Sequence, residues 1–339
     1  MNLDEIFTFE NIYNAHKKCR LSKSHKREVI DFEVNLSINI NKIIDEMKTK
    51  KYKIGKYKTF YIYEPKERLI EALPYKDRVI VRCFCDNSIL PKIDKKLIYD
   101  NAACRKGKGT MFALKRLEYF LKKEYAKEKN NNIYYLKCDI RKYFPSINHD
   151  ILLNLLKKVN FSNDEMWLIE KYVRSKPSSY NCGLPLGNQT SQWFALFYFD
   201  MVDRHIKEKL RVKHYIRYMD DMILVSRDKE YLKYCLDEIR KICEIELNLL
   251  LNNKTQIGKV SNGIDFLGFR NVLTSSGKVV RKLRQSSKIR MKKHLKTLEK
   301  LYNKNIIDKE YVNMRKKAYS EHIKVSNESK LLKKKLICD

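Results

Sequence analysis

An acidic pair, Asp220 and Asp221, lies between two short apolar runs, and this arrangement limits what the surrounding chain can form. Segment 214–226 reads HYIRYMDDMILVS. Two short apolar stretches around a polar centre predict a tight β-hairpin with the pair at its tip. Since neighbouring strand residues point to opposite faces, the two carboxylates need not have the same role. Taken alone, the segment could equally be an ordinary Asp-Asp turn.

A third carboxylate, Asp139, ends a predicted apolar strand at residues 133–140, IYYLKCDI. If this strand lies beside the hairpin, two or three acids converge on one edge of a sheet. Crowded carboxylates repel one another and raise their pKa values. Mg²⁺ would remove this repulsion because hard cations take oxygen ligands. Two such ions, roughly 3.5–4 Å apart, can hold an attacking 3′-hydroxyl and a leaving pyrophosphate in line, so the pattern predicts a nucleotidyl transferase.

The charge balance of the chain favours a polyanionic partner. Lys and Arg total 72 and Asp and Glu total 41, so the formal net charge is +31. A Lys-, Asn- and Ile-rich composition can reflect a coding bias, but such a bias does not explain the shortage of acids. Nucleic acid is therefore the first candidate partner. Phosphate contacts alone would give affinity without chemistry.

The remaining pattern predicts a mixed helix and strand chain. Apolar spacing predicts helices within residues 2–50, and alternation around Pro65 predicts a hairpin over 59–73. Residues 278–339 contain 20 Lys or Arg and six Asp or Glu at helical spacing, so a basic helical tail is expected. The other predicted helices cover 75–90, 110–127, 149–158, 163–174, 188–209 and 229–244, and the other predicted strands lie near 254–259 and 264–270.

Three further features predict a cytoplasmic protein without membrane contact. The longest apolar run, 193–199, ends at Asp200, far short of the roughly 18 residues that a membrane span needs. The acidic start MNLDEIFTFE does not resemble a signal peptide. The nine cysteines are scattered without a C-x-x-C pair, so we expect reduced, buried thiols and no zinc site.

From about Arg68 to Phe269 the chain resembles reverse transcriptases, with five motifs in the order typical of that family. The motifs are YYLKCDIRKYFPSI (134–147), GLPLGNQTSQWFA (183–195), YMDD (218–221), NNKTQI (252–257) and DFLGF (265–269). The resemblance implies an RNA-directed DNA polymerase with an α+β right-hand fold. Residues 1–132 would form fingers and N-terminal helices. Residues 133–272 would form a palm with a mainly antiparallel sheet and part of the fingers, and 273–339 a short basic thumb.

The resemblance also assigns roles at the expected metal site. Asp139, Ile140, Asp220 and Asp221 would bind two Mg²⁺, which Mn²⁺ could replace. Lys254 would protonate the leaving pyrophosphate as a general acid, with an exposed Lys at a strand edge as the alternative interpretation.

Nucleotide and primer contacts are implied in the same way. Phe144 would lie under the sugar and exclude a 2′-hydroxyl, unless it is a core residue. Arg and Lys suit phosphate because they donate several charged hydrogen bonds, and turn amides bind anions. The implied phosphate and nucleotide contacts are Lys66, Arg68, Arg105, Arg141, Lys142, Tyr143, Leu186, Gly187 and Gln189, and the implied primer grip is Phe266, Leu267 and Gly268.

The residue at position 186 narrows the resemblance to one group of reverse transcriptases. Many reverse transcriptases have Gln-Gly, three residues and then Ser-Pro in this block, whereas here Leu186 precedes Gly187 and Gln192 follows Ser191. This departure is similar to the reverse transcriptases of diversity-generating retroelements. Those enzymes copy a template RNA into cDNA with errors at adenines. The implied partners are template RNA, the RNA/DNA duplex, dNTPs and a small basic accessory protein.

Two alternatives remain open. Defence-associated reverse transcriptases, of abortive-infection or retron type, share the core motifs. Retron enzymes typically show Asn-Ala-x-x-His and Val-Thr-Gly, neither of which occurs here. A catalytically inactive RNA-binding scaffold is the alternative from another class, and the intact acidic trio argues against it.

Overall fold

The computed structural model describes residues 2–63, 66–176 and 181–328 of the 339-residue chain, which divides into two compact units. We call them the helical unit and the sheet unit. The helical unit comprises Met1–Tyr99, Ile140–Lys209 and Ile239–Asn252. The sheet unit comprises Asp100–Asp139, Leu210–Glu238 and Asn253–Asp339.

The helices and strands are numbered in chain order. The helices of the described residues are α1 (Leu3–Ile6), α2 (Phe9–Arg20), α3 (Arg27–Val34), α4 (Leu36–Lys48), α5 (Tyr75–Phe84), α6 (Leu90–Ile93), α7 (Thr110–Glu128), α8 (Tyr143–Ser146), α9 (His149–Lys157), α10 (Asn163–Val173), α11 (Gln189–Tyr198), α12 (Asp200–Arg204), α13 (Lys229–Leu247), α14 (Gln285–Asn303) and α15 (Lys309–Lys324). The strands are β1 (Lys58–Ile62), β2 (Arg68–Ala72), β3 (Tyr134–Cys138), β4 (His214–Tyr218), β5 (Asp221–Ser226), β6 (Gln256–Lys259), β7 (Ile264–Phe266), β8 (Phe269–Leu273) and β9 (Val279–Leu283).

Amphipathic spacing builds the helical unit. On α4, for example, Ile40, Ile43 and Met47 recur at three- and four-residue intervals and are all buried, as one apolar helix face requires. β1 and β2 pair antiparallel, from Lys58 opposite Ala72 to Ile62 opposite Arg68, which confirms the predicted hairpin. Residues 64 and 65, at its centre, lie outside the described residues.

The predicted continuous helix over 188–209 is wrong in one respect, because the chain breaks into α11, α12 and a π-helical turn at His205–Lys209. At the first break the carbonyl oxygen of Phe199 accepts from the N–H groups of both Val202 and Asp203, each at 3.1 Å. This mixture of three- and four-residue hydrogen bonds marks a tight turn between α11 and α12.

The sheet unit contains two antiparallel sheets. The strand order of the larger sheet is β4-β5-β3-β6, and that of the smaller is β7-β8-β9. One apolar core joins α7, the larger sheet, the smaller sheet and α14. Its buried members include Leu117, Ile223, Phe269 and Leu295. This core fixes β3 and β5 against α7, so the ends of those strands have defined positions.

The basic tail differs from its prediction at its start. Residues 279–283 form β9 rather than a helix, and β9 pairs antiparallel with β8 from Leu273 opposite Val279 to Phe269 opposite Leu283. Val279, Arg281 and Leu283 alternate as buried positions, which is the two-residue period of a strand. The helical prediction is confirmed for α14 and α15 beyond it.

A buried carboxylate ties α10 to the preceding helices of the helical unit. Glu165 has no exposed side-chain surface; it accepts from Ser88 Oγ at 2.6 Å and from Lys92 Nζ at 2.6 Å. It also completes a capping box with Ser162 at the start of α10. Burial by itself would raise the pKa of Glu165, but the hydrogen bonds from Lys92, Ser88 and the Ser162 amide lower it below its usual value.

We expect Glu165→Gln to lower the free energy of unfolding by about 3 kcal/mol at neutral pH, because Lys92 loses a buried charged partner. A group whose folded-state pKa is lowered stabilises the fold above its unfolded pKa and loses that effect as pH falls through the folded value. The difference between parent and variant should therefore shrink in acid. Urea denaturation at several pH values measures this. Ser162→Ala, as a control, should cost about 1 kcal/mol through lost capping and keep the parent's pH dependence. An equal loss for Glu165→Gln at every pH would contradict the charge argument.

Candidate active site

The predicted acidic hairpin is present in the sheet unit. β4 and β5 pair antiparallel with Tyr218 opposite Asp221, so Met219 and Asp220 form the two-residue turn. Met219 adopts a left-handed φ of 56°, a conformation that is unfavourable for a residue with a side chain. Asp220 is thus at the tip and Asp221 is the first residue of β5.

A buried arginine supports this turn. Arg217 has no exposed surface, and its Nη1 donates to the carbonyl oxygen of Met219 at 2.9 Å. Its backbone N–H donates to Asp100 at 3.1 Å, and its carbonyl accepts from Ala102 at 2.9 Å. Arg217 therefore connects the left-handed turn to the segment before α7 and fixes the position from which Asp220 projects.

Asp139 and Asp220 are in contact. β3 and β5 pair antiparallel with Cys138 opposite Met222, so Asp139, one residue beyond β3, lies at the sheet end where β5 begins. A side-chain hydrogen bond joins Asp139 and Asp220. Burial first, and then the charge of Asp139, raise the pKa of Asp220 to about 6.

Asp221 lies beside this pair but faces a lysine. Lys137 Nζ is 3.4 Å from Asp221 Oδ1, an ion-pair distance without hydrogen-bond geometry, and Oδ1 is buried with no hydrogen-bond partner. Burial raises the pKa of Asp221 to about 6; the Asp139 charge adds to this and Lys137 opposes it. Lys137 Nζ also donates to the carbonyl of Asp265 at 2.6 Å.

These three carboxylates have the donor chemistry of a hard-cation site. They lie at one sheet end, burial and the charge of Asp139 raise the pKa values of Asp220 and Asp221, and one buried oxygen of Asp221 has no hydrogen-bond partner. A divalent cation relieves such conditions. Within residues 2–63, 66–176 and 181–328, no three His, Cys, Asp or Glu side chains are grouped closely enough to hold one metal ion. The two carboxylates in contact are therefore those of Asp139 and Asp220, and Asp221 lies next to them.

The predicted general acid, Lys254, is an exposed turn residue just before β6. β6 pairs antiparallel with β3, with Gln256 opposite Lys137. Two residues beyond this last pair, Lys254 lies at the same sheet end as Asp139. The register therefore agrees with a position near the acids, while its catalytic role stays a prediction.

The predicted primer grip is a hairpin turn in the sheet unit. Phe266 pairs with Phe269, and Leu267 and Gly268 both have positive φ, 47° and 88°, as tight two-residue hairpin turns require. Phe266 is fully buried and its side chain packs in the core, while its part in a primer grip stays a prediction. Leu267 and Gly268, which are half-buried, form the accessible tip.

Several predicted nucleotide contacts belong to the helical unit. Arg141 and Lys142 are exposed, and Lys142 has a left-handed φ of 47°. The Arg141 amide donates to Leu250 at 2.9 Å, so it is already engaged and the expected phosphate-binding turn loses that donor. Tyr143 is buried and its hydroxyl donates to the carbonyl of Ala195 at 2.5 Å. Phe144 is half-buried beside the Tyr143 ring, rather than a fully buried core residue.

The segment with Leu186 and Gly187 is fixed to β2. The Leu186 carbonyl accepts from the Glu71 amide at 2.9 Å. Gly187 has a φ of 133°, and a Cβ at this position would lie 2.8 Å from the Glu71 carbonyl oxygen. Only glycine allows so close an approach. Leu186 is half-buried, and Gln189 begins α11.

The three predicted phosphate clamps lie in both units. Lys66 and Arg68 are exposed, and Arg68 is the first residue of β2 in the helical unit. Arg105 is half-buried in the sheet unit, where its Nη1 donates to the carbonyl of Asn101 at 3.2 Å. Their roles in binding phosphate stay predictions.

Lys137 and Arg217 are two site residues that the sequence motifs did not predict. Each is a single cation in an otherwise apolar strand, LKC and IRY. A cation in such a strand needs a partner because burying an unpaired charge is costly. The sequence therefore indicates that each of these cations has a partner, but it does not identify that partner.

Comparison with known proteins identifies the family. The family model described as "Reverse transcriptase (RNA-dependent DNA polymerase)" matches residues 56–271, and no curated protein matches the chain. A solved structure of telomerase from Candida albicans, in complex with a TWJ fragment of telomeric RNA, is similar with a TM-score of 0.52 and 12% identity over 70% of this chain and 46% of that one. Apo telomerase from Candida tropicalis gives a TM-score of 0.50 and 14% identity over 67% and 48%.

The chain therefore belongs to the reverse transcriptase family, and its predicted enzyme class, an RNA-directed DNA polymerase, is that of the family. The similarity to telomerase confirms the α+β right-hand polymerase fold with antiparallel sheets. The chain spans about half the length of the solved structures that it matches. None of the helices in the described segments has the length and apolar character needed to cross a bilayer.

We expect Gly187→Ala to destabilise the protein by about 1–3 kcal/mol, because it combines an unfavourable backbone conformation with a collision at Glu71. Gly109→Ala is the matched control: Gly109 also has a positive φ, 111°, but a Cβ there would meet nothing within 4 Å. Thermal unfolding of both variants separates the two effects. Equal losses would show that the contact with Glu71 is unimportant.

Proposed function

We propose that this protein copies a template RNA into cDNA by metal-dependent nucleotidyl transfer. The observation that carries this proposal is the contact of Asp139 with Asp220 at one sheet end, with Asp221 beside them, in a member of the reverse transcriptase family. Substrates would be dNTPs on a template RNA, and the product an RNA/DNA duplex. The cytoplasm is the proposed location.

Asp139, Asp220, Asp221 and the carbonyl of Ile140 would hold two Mg²⁺, or Mn²⁺. When bound, the metal would align the 3′-hydroxyl with the leaving pyrophosphate and neutralise charge on the phosphates. The turn supported by Arg217 holds Asp220 against Asp139. Lys137 keeps Asp221 beside them and connects β3 to the carbonyl of Asp265.

Other residues would bind and orient the reactants. Arg68, Lys66 and Arg105 would contact the triphosphate, and Phe144 would exclude a 2′-hydroxyl. Lys254 would supply a proton to pyrophosphate, and the 267–268 turn would contact the primer. On α14, Leu295 and Leu298 are buried, while Arg290, Lys292, Lys293 and Lys296 are exposed, so the tail would follow phosphates of the duplex.

We expect Asp220→Asn and Asp221→Asn each to reduce primer extension by at least about 100-fold, because each removes a charged ligand from a step that depends on metal. RNA affinity should stay within about twofold, since neutralising an acid does not remove a phosphate contact. Asp31→Asn, on α3 and exposed, is the control for a simple charge change. Extension that survives in both active-site variants would exclude this site. A parent protein that binds RNA but shows no metal-dependent extension would favour a scaffold over an enzyme.

We further propose that the enzyme is error-prone at template adenines, as in diversity-generating retroelements. Support comes from Leu186, which cannot donate or accept a side-chain hydrogen bond, and whose backbone is fixed by Glu71. Because no polar side chain at this position can hydrogen-bond the nascent base pair, the enzyme would discriminate less strictly against mismatched pairs. A small basic accessory protein would be a partner; RNA would have to bridge the two, since both are cationic.

We expect Leu186→Gln to reduce misincorporation opposite template adenine, because the amide restores hydrogen-bonding capacity. Leu186→Met is the control, since it keeps an apolar side chain of similar volume, and it should retain the parent's errors. Sequencing of cDNA made on a defined RNA measures both. An unchanged error spectrum for the Gln variant would remove this account of Leu186 and favour a defence-associated reverse transcriptase.

A further inference from the structure

Lys137 lies between the acids and the predicted primer turn, within the sheet unit. Its Nζ is 3.4 Å from Asp221 Oδ1 and donates to the carbonyl oxygen of Asp265 at 2.6 Å. Asp221 begins β5, and Asp265 is the middle residue of β7, whose hairpin turn is Leu267 and Gly268. One ammonium group therefore contacts both a predicted cation ligand and the hairpin that is predicted to hold a primer.

A second cation, Arg284, reaches the same hairpin from the start of α14. Its Nε is 3.6 Å from Asp265 Oδ1, an ion-pair distance, and is buried without a hydrogen-bond partner among the described residues. Its backbone N–H donates to the carbonyl oxygen of Gly268 at 3.1 Å. Burial raises the pKa of Asp221 to about 6, and the charges of Lys137 and Arg284 oppose that rise. Both cations therefore act on Asp221 and on the hairpin.

Lys137 occupies the place of a counter-ion at Asp221. Asp221 Oδ1 is buried and makes no hydrogen bond within the described segments, so it keeps an acceptor that a divalent cation can use. Like charges in a partly buried site repel strongly, so a cation at Asp221 and the Lys137 ammonium oppose each other. The contact of Lys137 with the Asp265 carbonyl involves no cation ligand, and it remains when the ion pair is lost.

We propose that Lys137 is the resident counter-ion of Asp221 and couples the cation site to the 267–268 turn, an inference that rests on the proposed function. Without a divalent cation, Lys137 divides its attraction between Asp221 and the Asp265 carbonyl. With one, Lys137 is repelled from Asp221 and holds the carbonyl alone, which fixes the turn more firmly. Such a coupling is reciprocal, so fixing the turn also favours the cation. Lys137 is a positioning residue because it acts through Asp221 and Asp265.

The first test measures cation affinity without catalysis. Mn²⁺ binding is followed by loss of the electron paramagnetic resonance signal of free Mn²⁺, with no RNA, primer or nucleotide present. We expect Lys137→Met to bind Mn²⁺ about tenfold more tightly than the parent, because the competing charge is gone. Lys259→Met is the matched control, since Lys259 is exposed on β6 opposite Tyr134, at the other end of β3 from Asp139. It should change the affinity by less than about twofold.

Two further variants separate charge from packing. Lys137→Arg keeps the charge and should bind Mn²⁺ like the parent. Arg284→Met removes the second cation from a half-buried position and should tighten Mn²⁺ binding by about threefold, less than Lys137→Met, because Arg284 is paired with Asp265 rather than with Asp221. Arg284→Met also tests the competing charge if Lys137→Met does not fold.

The second test measures the turn itself. Amide hydrogen exchange of a peptide that spans residues 264–270 is compared with and without Mg²⁺, again in the absence of nucleic acid. In the parent we expect Mg²⁺ to slow this exchange by about threefold, because a firmer turn opens less often. In Lys137→Met the exchange should be the same in both conditions, whereas Lys259→Met should respond like the parent.

The two tests have separate ways to fail. Unchanged or weaker Mn²⁺ binding by Lys137→Met would overturn its role as a counter-ion. Protection of residues 264–270 by Mg²⁺ that persists in Lys137→Met would overturn the coupling. Asp221→Asn should weaken Mn²⁺ binding, and if it does not, the cation site of the proposed function falls together with this inference. Because neither test uses primer extension, the inference about Lys137 can fail while the polymerase proposal stands.

Discussion

The crowding of carboxylates at one end of a β-sheet is the constraint on which the rest of the site depends. A hydrogen bond joins Asp139 to Asp220, and strand pairing keeps Asp221 beside them. The pairing of β3 with β5 brings Asp139 to the start of β5, and the hairpin of β4 and β5 places Asp220 at its tip. The apolar core that packs this sheet against α7 keeps the ends of the strands in place.

Two cations limit the cost of this crowding. Arg217 acts on the backbone, through the carbonyl of Met219, and so fixes the turn. Lys137 acts on the side chain of Asp221 from the same strand that carries Asp139. Arg217 and Lys137 hold the acids in place by different contacts, and Asp221 Oδ1 remains without a hydrogen bond.

The sequence predicted those parts of the fold that depend on local pattern. The hairpin at 214–226 and the strand before Asp139 follow from short apolar runs and a polar turn, and both are confirmed. β9 was missed because Lys and Arg dominate the window around 279–283 and obscure the alternation of Val279, Arg281 and Leu283. The break at Phe199 was missed because no Gly or Pro marks it. The motif containing Phe266 predicts a primer contact, but the burial of its side chain in the core could not be predicted from that motif. The proximity of residues near 18–23, 78–82 and 187–189 could not be predicted from the sequence, because these segments meet only in the folded helical unit.

The separation of the acids along the chain has a consequence for how the protein is made. β3 is synthesised long before β5, and the contact between Asp139 and Asp220 spans about eighty positions, which is the kind of non-local pairing that slows folding. A chain still emerging from the ribosome with its C-terminal part missing can build the helices around α2 and α4. It has no partner for β3 until the hairpin of β4 and β5 has been translated. The group of three carboxylates is therefore complete only after this hairpin has been made, and the basic helices α14 and α15 are translated later still.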